Sequence, residues 1–131
     1  MRSRTKTVIA LAVVVVLSLV GFNWYRSSRA CARRGAEFSA RIESIKHEAH
    51  SRLHVGAKKD DVTRFFAEIG IPFTVYQDGD HFEAYGTAAT SGCAPFGCGT
   101  DAALIRVQVG VDKVGTVISE PVVAGMYSNC L

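Results

Sequence analysis

The amino-acid sequence predicts an α+β protein, in which an N-terminal transmembrane helix precedes two helices and about four antiparallel strands in two layers. Three observations support this prediction. Residues 7–25 carry no charged side chain, the next segment repeats apolar residues at helical spacing, and residues 73–123 alternate apolar and polar side chains between turn residues. We therefore expect a tail and anchor in residues 1–26 and one α+β domain with a basic stalk helix in residues 27–131.

The apolar run of residues 7–25 is long enough to span a membrane. At 1.5 Å per residue it extends about 28 Å as a helix, close to the thickness of the hydrocarbon core. Trp24 and Tyr25 stand where interfacial aromatic residues are common. We expect a single-pass anchor. Two alternatives remain: a cleaved signal peptide, with Ser28-Arg29-Ala30 as its small-x-small site, and lipidation at Cys31.

The charges are unevenly distributed around a formal net charge of +3. Residues 26–59 carry nine basic and three acidic side chains, and residues 60–131 reverse that ratio. A basic segment beside an anchor favours anionic lipid headgroups, so the predicted partner is the bilayer and not nucleic acid. Basic residues on both sides of the apolar run, among them Arg2, Arg4 and Lys6, nearly balance, so charge does not fix the orientation.

The four cysteines, all disulfide candidates, are Cys31, Cys93, Cys98 and Cys130. An even number in a small domain beside a targeting segment favours disulfides in an oxidising compartment, outside the cytoplasm. A bridge between Cys93 and Cys98 would close a short loop and leave Cys31 and Cys130 to pair, but all three connectivities remain open. Redox chemistry in the Cys93/Cys98 loop is an alternative, although the spacing is not that of a C-x-x-C motif.

The segment from about Ala30 to His54 is predicted to form a stalk helix. Its apolar residues recur at spacings of three and four and lie within about 80° of one another, a narrow stripe suited to packing on a sheet. Gly56 is expected to end this helix in a left-handed conformation. The stripe comprises Phe38, Ile42, Ile45, Ala49 and Leu53.

The opposite face of the predicted stalk helix groups Glu43, His47, His50 and His54 within about 60°. Imidazole and carboxylate groups at this spacing can bind Zn or Cu, so these four residues are candidate metal ligands. The competing interpretation is a solvated face. We favour it because no second element supplies a ligand that would fix the geometry.

A shorter helix is predicted after Gly56. Asp60 and Asp61 favour its N terminus through the helix dipole, and Gly70 followed by Pro72 ends it. Its predicted buried face consists of Val62, Phe65, Phe66 and Ile69. The residues expected to define the fold here are Gly56, Val62, Phe66, Gly70 and Pro72.

Antiparallel strands are predicted beyond Pro72, beginning with a hairpin that turns at Asp78-Gly79. Residues 86–102 are expected to form a long loop of small residues, and residues 112–115 to form a second turn. The predicted strands are residues 73–76, 81–85, 104–111 and 116–123.

The order of these motifs resembles the BamE (SmpA)-like family of small bacterial envelope proteins, over about residues 50–120, and the layout is similar to the β-lactamase-inhibitor-protein fold. The matching segments are GAKKDDV at 56–62, GIP at 70–72, FEAY at 82–85 and RVQVGVDKVGTV at 106–117. The resemblance implies a non-enzymatic envelope module that binds other proteins. Together with the anchor and the cysteines, it leads us to expect a location at the bacterial inner membrane, with the C-terminal domain outside the cytoplasm; secretion after signal cleavage is the alternative.

No catalytic constellation is evident in the sequence. The carboxylates are scattered, and no Ser or Thr occupies a nucleophile elbow or a glycine-rich phosphate loop. We therefore predict a membrane-anchored accessory domain with no enzymatic activity, no cofactor and no small-molecule substrate, which binds another envelope protein. The alternative is a metal-binding or thiol-redox protein that uses the histidine stripe or the Cys93/Cys98 loop.

Overall fold

A computed structural model describes residues 2–128 and residue 130, with side chains from residue 8 onward. Parts of the predicted tail and domain, namely residues 1, 129 and 131 and the side chains of Arg2, Arg4 and Lys6, lie outside this description. The predicted class is confirmed, since the chain is α+β with a four-stranded antiparallel sheet. The described residues form two helices where three were predicted, because the predicted anchor and stalk segments belong to one helix. In order, the elements are α1 (Arg2–Arg52), α2 (Lys59–Glu68), β1 (Phe73–Asp78), β2 (His81–Ser91), β3 (Ala102–Val111) and β4 (Val122–Tyr127).

The chain divides into two compact units, Met1–Arg33 and Arg34–Leu131. The first is the N-terminal part of α1. Its large apolar side chains from Val8 to Tyr25 are all more than half exposed. Among the described residues, α1 is the one helix long and apolar enough to cross a membrane, and a signal sequence has the same properties.

The second unit, called the head domain below, begins with the remainder of α1. The predicted apolar stripe faces the core: Phe38, Ile45, Ala49 and Leu53 are buried, and Ile42 packs against them. The left-handed conformation predicted for Gly56 is confirmed, but the residue does not itself end the helix. The helix ends at Arg52, and Gly56 lies in the following turn, where it adopts a φ of 95° and donates its N–H to the carbonyl of Val117 at 2.8 Å.

α2 ends as its sequence predicts. Gly70 has a φ of 68°, and its N–H donates to Ala67 O at 3.2 Å. The N–H of Ile71 donates to Phe66 O at 3.1 Å, which completes a Schellman motif. Pro72 then leads directly into β1. At the other end of α2, the N–H of Lys58 donates to the carboxylate of Asp61 at 3.0 Å.

The sheet has the order β1-β2-β3-β4, so β1 and β4 are its edges. Alternate residues of β3 are buried beneath the helices. The helices and the inner face of the sheet enclose one core, in which Val62, Phe65 and Phe66 of α2 are buried. The rings of Phe66 and Phe73 stack with centroids 4.5 Å apart. The buried residues of β3 are Ala103, Ile105, Val107, Val109 and Val111.

The long loop predicted at residues 86–102 is wrong, because β2 continues to Ser91 and only residues 92–101 separate it from β3. The small residues of this stretch belong to the ladder: Gly86 pairs with Val107, and Ala88 pairs with Ile105. Their size leaves room for the helices. A Cβ atom at Gly86 would lie 2.8 Å from the ring of Phe66.

The predicted fourth strand at residues 116–123 is also displaced, since β4 is Val122–Tyr127. After the turn, Val117 forms a single bridge with Val111, and the ladder resumes where Val122 pairs with Gln108. The four intervening residues stand opposite only two residues of β3 and therefore form a bulge. Ser119 stabilises the bulge, because its hydroxyl oxygen accepts the N–H of Gly110 at 3.0 Å.

Candidate functional site: a cleft beside an exposed sheet edge

β1 is an edge strand with little cover on either face. After Phe73, each of its residues is exposed. Val75, which belongs to the inner face, is 54% exposed, and Tyr76, on the outer face, is 61% exposed. Strands that lie on a core normally bury alternate residues, as β3 does here. The end of the β1–β2 hairpin therefore projects beyond the helical layer.

A cleft of about 470 Å³ lies on the inner face of this hairpin. Its floor is apolar and is formed by Phe73, Val75, Phe82 and Ala84, and Val62 of α2 contributes to its wall. The first turn of α2 borders the cleft, and because the helix begins only at Lys59 it leaves the end of the hairpin uncovered. A cleft with an apolar floor beside an exposed strand suits an apolar side chain of a binding partner.

The rim of the cleft is basic. Lys59, at the start of α2, and Lys113, in the turn after β3, both line it. Asp112 is the acidic residue in the lining. Its carboxylate accepts hydrogen bonds within the turn after β3, from the N–H of Thr116 at 2.7 Å and from the N–H of Val114 at 3.0 Å. These bonds lower the pKa of Asp112 below its ordinary value, and the bond from Thr116 has the largest effect. The two lysines are thus available to an anionic group.

The outer face of the sheet carries a polar and aromatic depression of about 300 Å³. Tyr76 and Tyr85 line it, together with Glu83 and Gln108, whose side-chain amide donates to the Glu83 carboxylate at 2.6 Å. None of the described elements covers this face, as is common in antiparallel sheets. Tyrosines on an open sheet face are typical of protein-binding surfaces.

The loop between β2 and β3 is stabilised by Arg34 of α1 and by a hydrogen bond within the loop. Arg34 of α1 donates to Gly92 O at 3.3 Å and to the Asp101 carboxylate at 2.8 Å. The N–H of Ala94 donates to the same carboxylate at 3.0 Å, and this bond and that from Arg34 lower the pKa of Asp101. Phe96, at the tip of the loop, is fully exposed.

The cysteine prediction is confirmed in kind and corrected in detail. Cys98 and Cys130 form a disulfide, and none of the four cysteines is a free thiol. A Cys93–Cys98 bridge, and with it a Cys31–Cys130 bridge, is therefore wrong. Cys98 and Cys130 face each other as an isolated antiparallel bridge beyond β4, so strand pairing brings them together. The redox alternative loses its free dithiol, since Cys93 and Cys98 are both oxidised.

Glu43, His47 and His50 lie on the exposed side of α1, but His54 lies beyond the end of the helix at Arg52, so the predicted helical stripe is not complete. Nδ1 of His50 lies 2.9 Å from Lys46 O, and Glu43 is 3.9 Å from the Lys46 ammonium. His47 and His54 are also exposed. In the part of the chain that the structure describes, no three His, Cys, Asp or Glu side chains are grouped to hold a metal ion. The metal hypothesis therefore gains no support from the geometry.

The cleft was not foreseen from the sequence. The alternation of Phe73 and Val75 predicts that both side chains point to the inner face of the sheet, but it does not show that α2 leaves Val75 uncovered. One sequence signal was present. Residues 73–77 contain no charged residue and no Pro, whereas edge strands usually carry Lys or Pro, which prevent pairing with other chains.

No protein-family model, curated protein or solved structure matches this chain.

Proposed function

We propose that this protein is a single-pass, membrane-anchored domain that binds another protein outside the cytoplasm and has no catalytic role of its own. One observation carries the proposal: an apolar helical segment without a buried residue precedes a head domain that leaves an edge strand and a sheet face uncovered. The first feature fits a bilayer, and the second fits a protein partner.

The anchor is supported by the pattern along α1. Apolar side chains that are more than half exposed are costly in water and favourable in hydrocarbon. Trp24 and Tyr25 at the end of the run suit the interface. Arg29 lies 4.9 Å from the ring centroid of Tyr25, and with Arg26 it would meet lipid headgroups.

The location outside the cytoplasm is supported by the oxidised cysteines, because structural disulfides persist in oxidising compartments. The motif order that resembles BamE-like proteins agrees with a bacterial envelope module. Binding of a protein partner is supported by the exposed Tyr76, the partly exposed Tyr85 beside it and the apolar cleft, since uncovered apolar and aromatic surfaces mark interaction sites.

Photo-crosslinking in intact membranes tests this function. A benzophenone amino acid replaces Tyr76 on β1 in one variant, and Ser44, which is exposed on α1, in the control variant. We expect one discrete heterologous adduct from position 76 that persists after alkaline washing of the membranes, and none from position 44. The function is contradicted if the washed membranes retain no protein, or if neither position 76 nor Phe96, Val122 and Met126 as further sites yields an adduct.

A further inference from the structure

We infer that the head domain binds an extended segment of its partner as a fifth strand on the free edge of β1, with apolar side chains in the cleft and a carboxylate at Lys59 and Lys113. This inference rests on the proposed function and specifies its mode of binding. Strand addition takes its affinity from backbone hydrogen bonds and its selectivity from pockets for alternate side chains. The structure offers both.

The backbone of β1 is available on its outer edge. Asp78 and His81 are directly opposed and flank the two-residue turn, and the residues that flank such a turn form a hydrogen-bonded pair. Hydrogen-bonded and non-hydrogen-bonded pairs then alternate along the antiparallel ladder. Val75 and Gln77 therefore direct their amide and carbonyl groups away from β2. Nothing in residues 73–77 blocks that edge: the segment contains no Pro or Lys, and its register with β2 is unbroken.

The side chains of an added strand would alternate between two different surfaces. Those that point inward would lie next to Val75 and enter the cleft, where the apolar floor and Val62 remove them from water. Those that point outward would lie next to Tyr76 and the depression that Tyr76 and Tyr85 line. The other edge differs, because Phe38 and Ile42 already cover the inner face of β4 at Gly125.

The charges at the cleft identify the class of segment. Among the described residues, neither Lys59 nor Lys113 forms an ion pair, and the Asp112 carboxylate is bound within its own turn. Lys113 follows Val111, which pairs with Phe82, and Phe82 pairs with Gln77. The basic rim therefore lies at the Gln77 end of β1, and an Asp or Glu of the segment would meet it there.

A second copy of this chain fits less well. If two β1 strands paired across a twofold axis they would run antiparallel, so the Asp78 end of one β1 would lie beside the Phe73 end of the other. That places the acidic residue at the end of β1 away from the basic rim. The segment is therefore assigned to a different protein.

The experiment uses the full chain in lipid nanodiscs and a displayed library of random peptides as the probe. Selected peptides are measured by fluorescence anisotropy against wild type, Gln77→Pro and the matched control Gln77→Thr. Gln77→Pro removes one outward N–H and leaves the cleft lining intact. We expect peptides with alternating apolar residues and one Asp or Glu, with Kd raised about tenfold by Gln77→Pro and by Lys59→Glu, and little changed by Gln77→Thr.

Three results would overturn strand addition: no selected binder, equal affinity for Gln77→Pro and Gln77→Thr, or spontaneous disulfide-linked dimers in membranes of a Val75→Cys variant, whose new cysteine lies near the middle of β1 and would meet its copy across a twofold axis. Circular dichroism and native Cys98–Cys130 bonding of each variant show that it is folded. Adducts from Phe96 or Met126 in the membrane crosslinking experiment, without any from β1, would overturn this mode alone. Such a pattern would leave the anchored protein-binding domain standing.

Discussion

Gly86 on β2 faces Phe66 on α2 so closely that a Cβ atom at position 86 would lie 2.8 Å from Cε1 of the ring. The same atom would be 2.9 Å from Ile71 and from the carbonyl oxygen of Pro72. The absence of a side chain at Gly86 therefore allows α2 to lie this close to the sheet. At this position the middle of β2 contacts both α2 and the Gly-Ile-Pro segment that follows it.

Overpacking at this position should destabilise the head domain. Gly86→Val is expected to lower the free energy of unfolding by about 1–3 kcal/mol, because the backbone oxygen of Pro72 cannot move aside as a side chain would. Urea denaturation measures the change. Ala89→Val, at an exposed position of the same strand, is the control and should shift stability by less than about 0.5 kcal/mol. Equal effects of the two changes would contradict the packing described.

The left-handed glycine at the end of α2 gives a second prediction. Gly70 has a φ of 68° with nothing within 4 Å of an added Cβ, so a substitution there tests the backbone alone. Gly70→Ala should cost about 1–2 kcal/mol of unfolding free energy, and Gly70→Asn clearly less, since Asn tolerates this conformation. If Ala and Asn prove equally tolerated, the Schellman ending is misplaced.

The Cys98–Cys130 bond gives a third prediction. Chymotrypsin should cut after the exposed Phe96 and, without reduction, release a peptide that links Cys98 to Cys130. Changing both cysteines to Ser should lower the free energy of unfolding by about 2–4 kcal/mol, because the bond closes a loop with a sequence separation of 32 residues. A linked Cys93–Cys98 peptide in the mass spectrum would refute this connectivity.

Acid should weaken the head domain through Asp101 and Asp112. The folded-state pKa of Asp101 is lowered mainly by the hydrogen bond from Ala94 N–H, and that of Asp112 mainly by the hydrogen bond from Thr116 N–H. Their contribution is therefore present above the unfolded pKa of about 3.9 and is lost as the pH falls through the folded value.

The melting temperature measured from neutral pH to about pH 2 should accordingly fall on the acid side of about pH 4. Asp101→Asn is expected to be less stable near neutral pH, since it loses the charged bond with Arg34, and to lose less on acidification. The exposed Asp80, changed to Asn, is the control and should retain the wild-type profile. An Asp101→Asn profile parallel to that of wild type would count against the assigned role.

Much of the fold could be predicted from local patterns. The apolar stripe of α1 and most of the buried face of α2 follow from periodicity and were found, although Ile69 lies just after α2 and is only partly buried. The hairpin turn was also found, but one residue later than predicted: Asp78 pairs with His81, so the turn residues are Gly79 and Asp80. The length of β2 could not be predicted in this way. Gly, Ala and Thr from Gly86 onward carry a loop composition, and their strand conformation comes from pairing with β3 and from the space that Phe66 requires.

The candidate site depends on relationships that one sequence does not display. The cleft requires that α2, whose first turn borders it, leave Val75 uncovered, and its basic rim requires Lys59 and Lys113 to line the same cleft although they are far apart in the chain. The cysteine pairing likewise depends on β4 lying beside β3. The residue types were visible in the sequence, but their placement was decided by tertiary packing.

The central claim is that the head domain is held at a membrane by its own N-terminal helix. The most direct measurement is the intact mass of the protein extracted from alkaline-washed membranes after expression of the 131-residue chain. We expect a species of 14.1 kDa that retains the apolar segment of residues 7–25. A shorter species that lacks this segment, recovered in the soluble fraction, would contradict it.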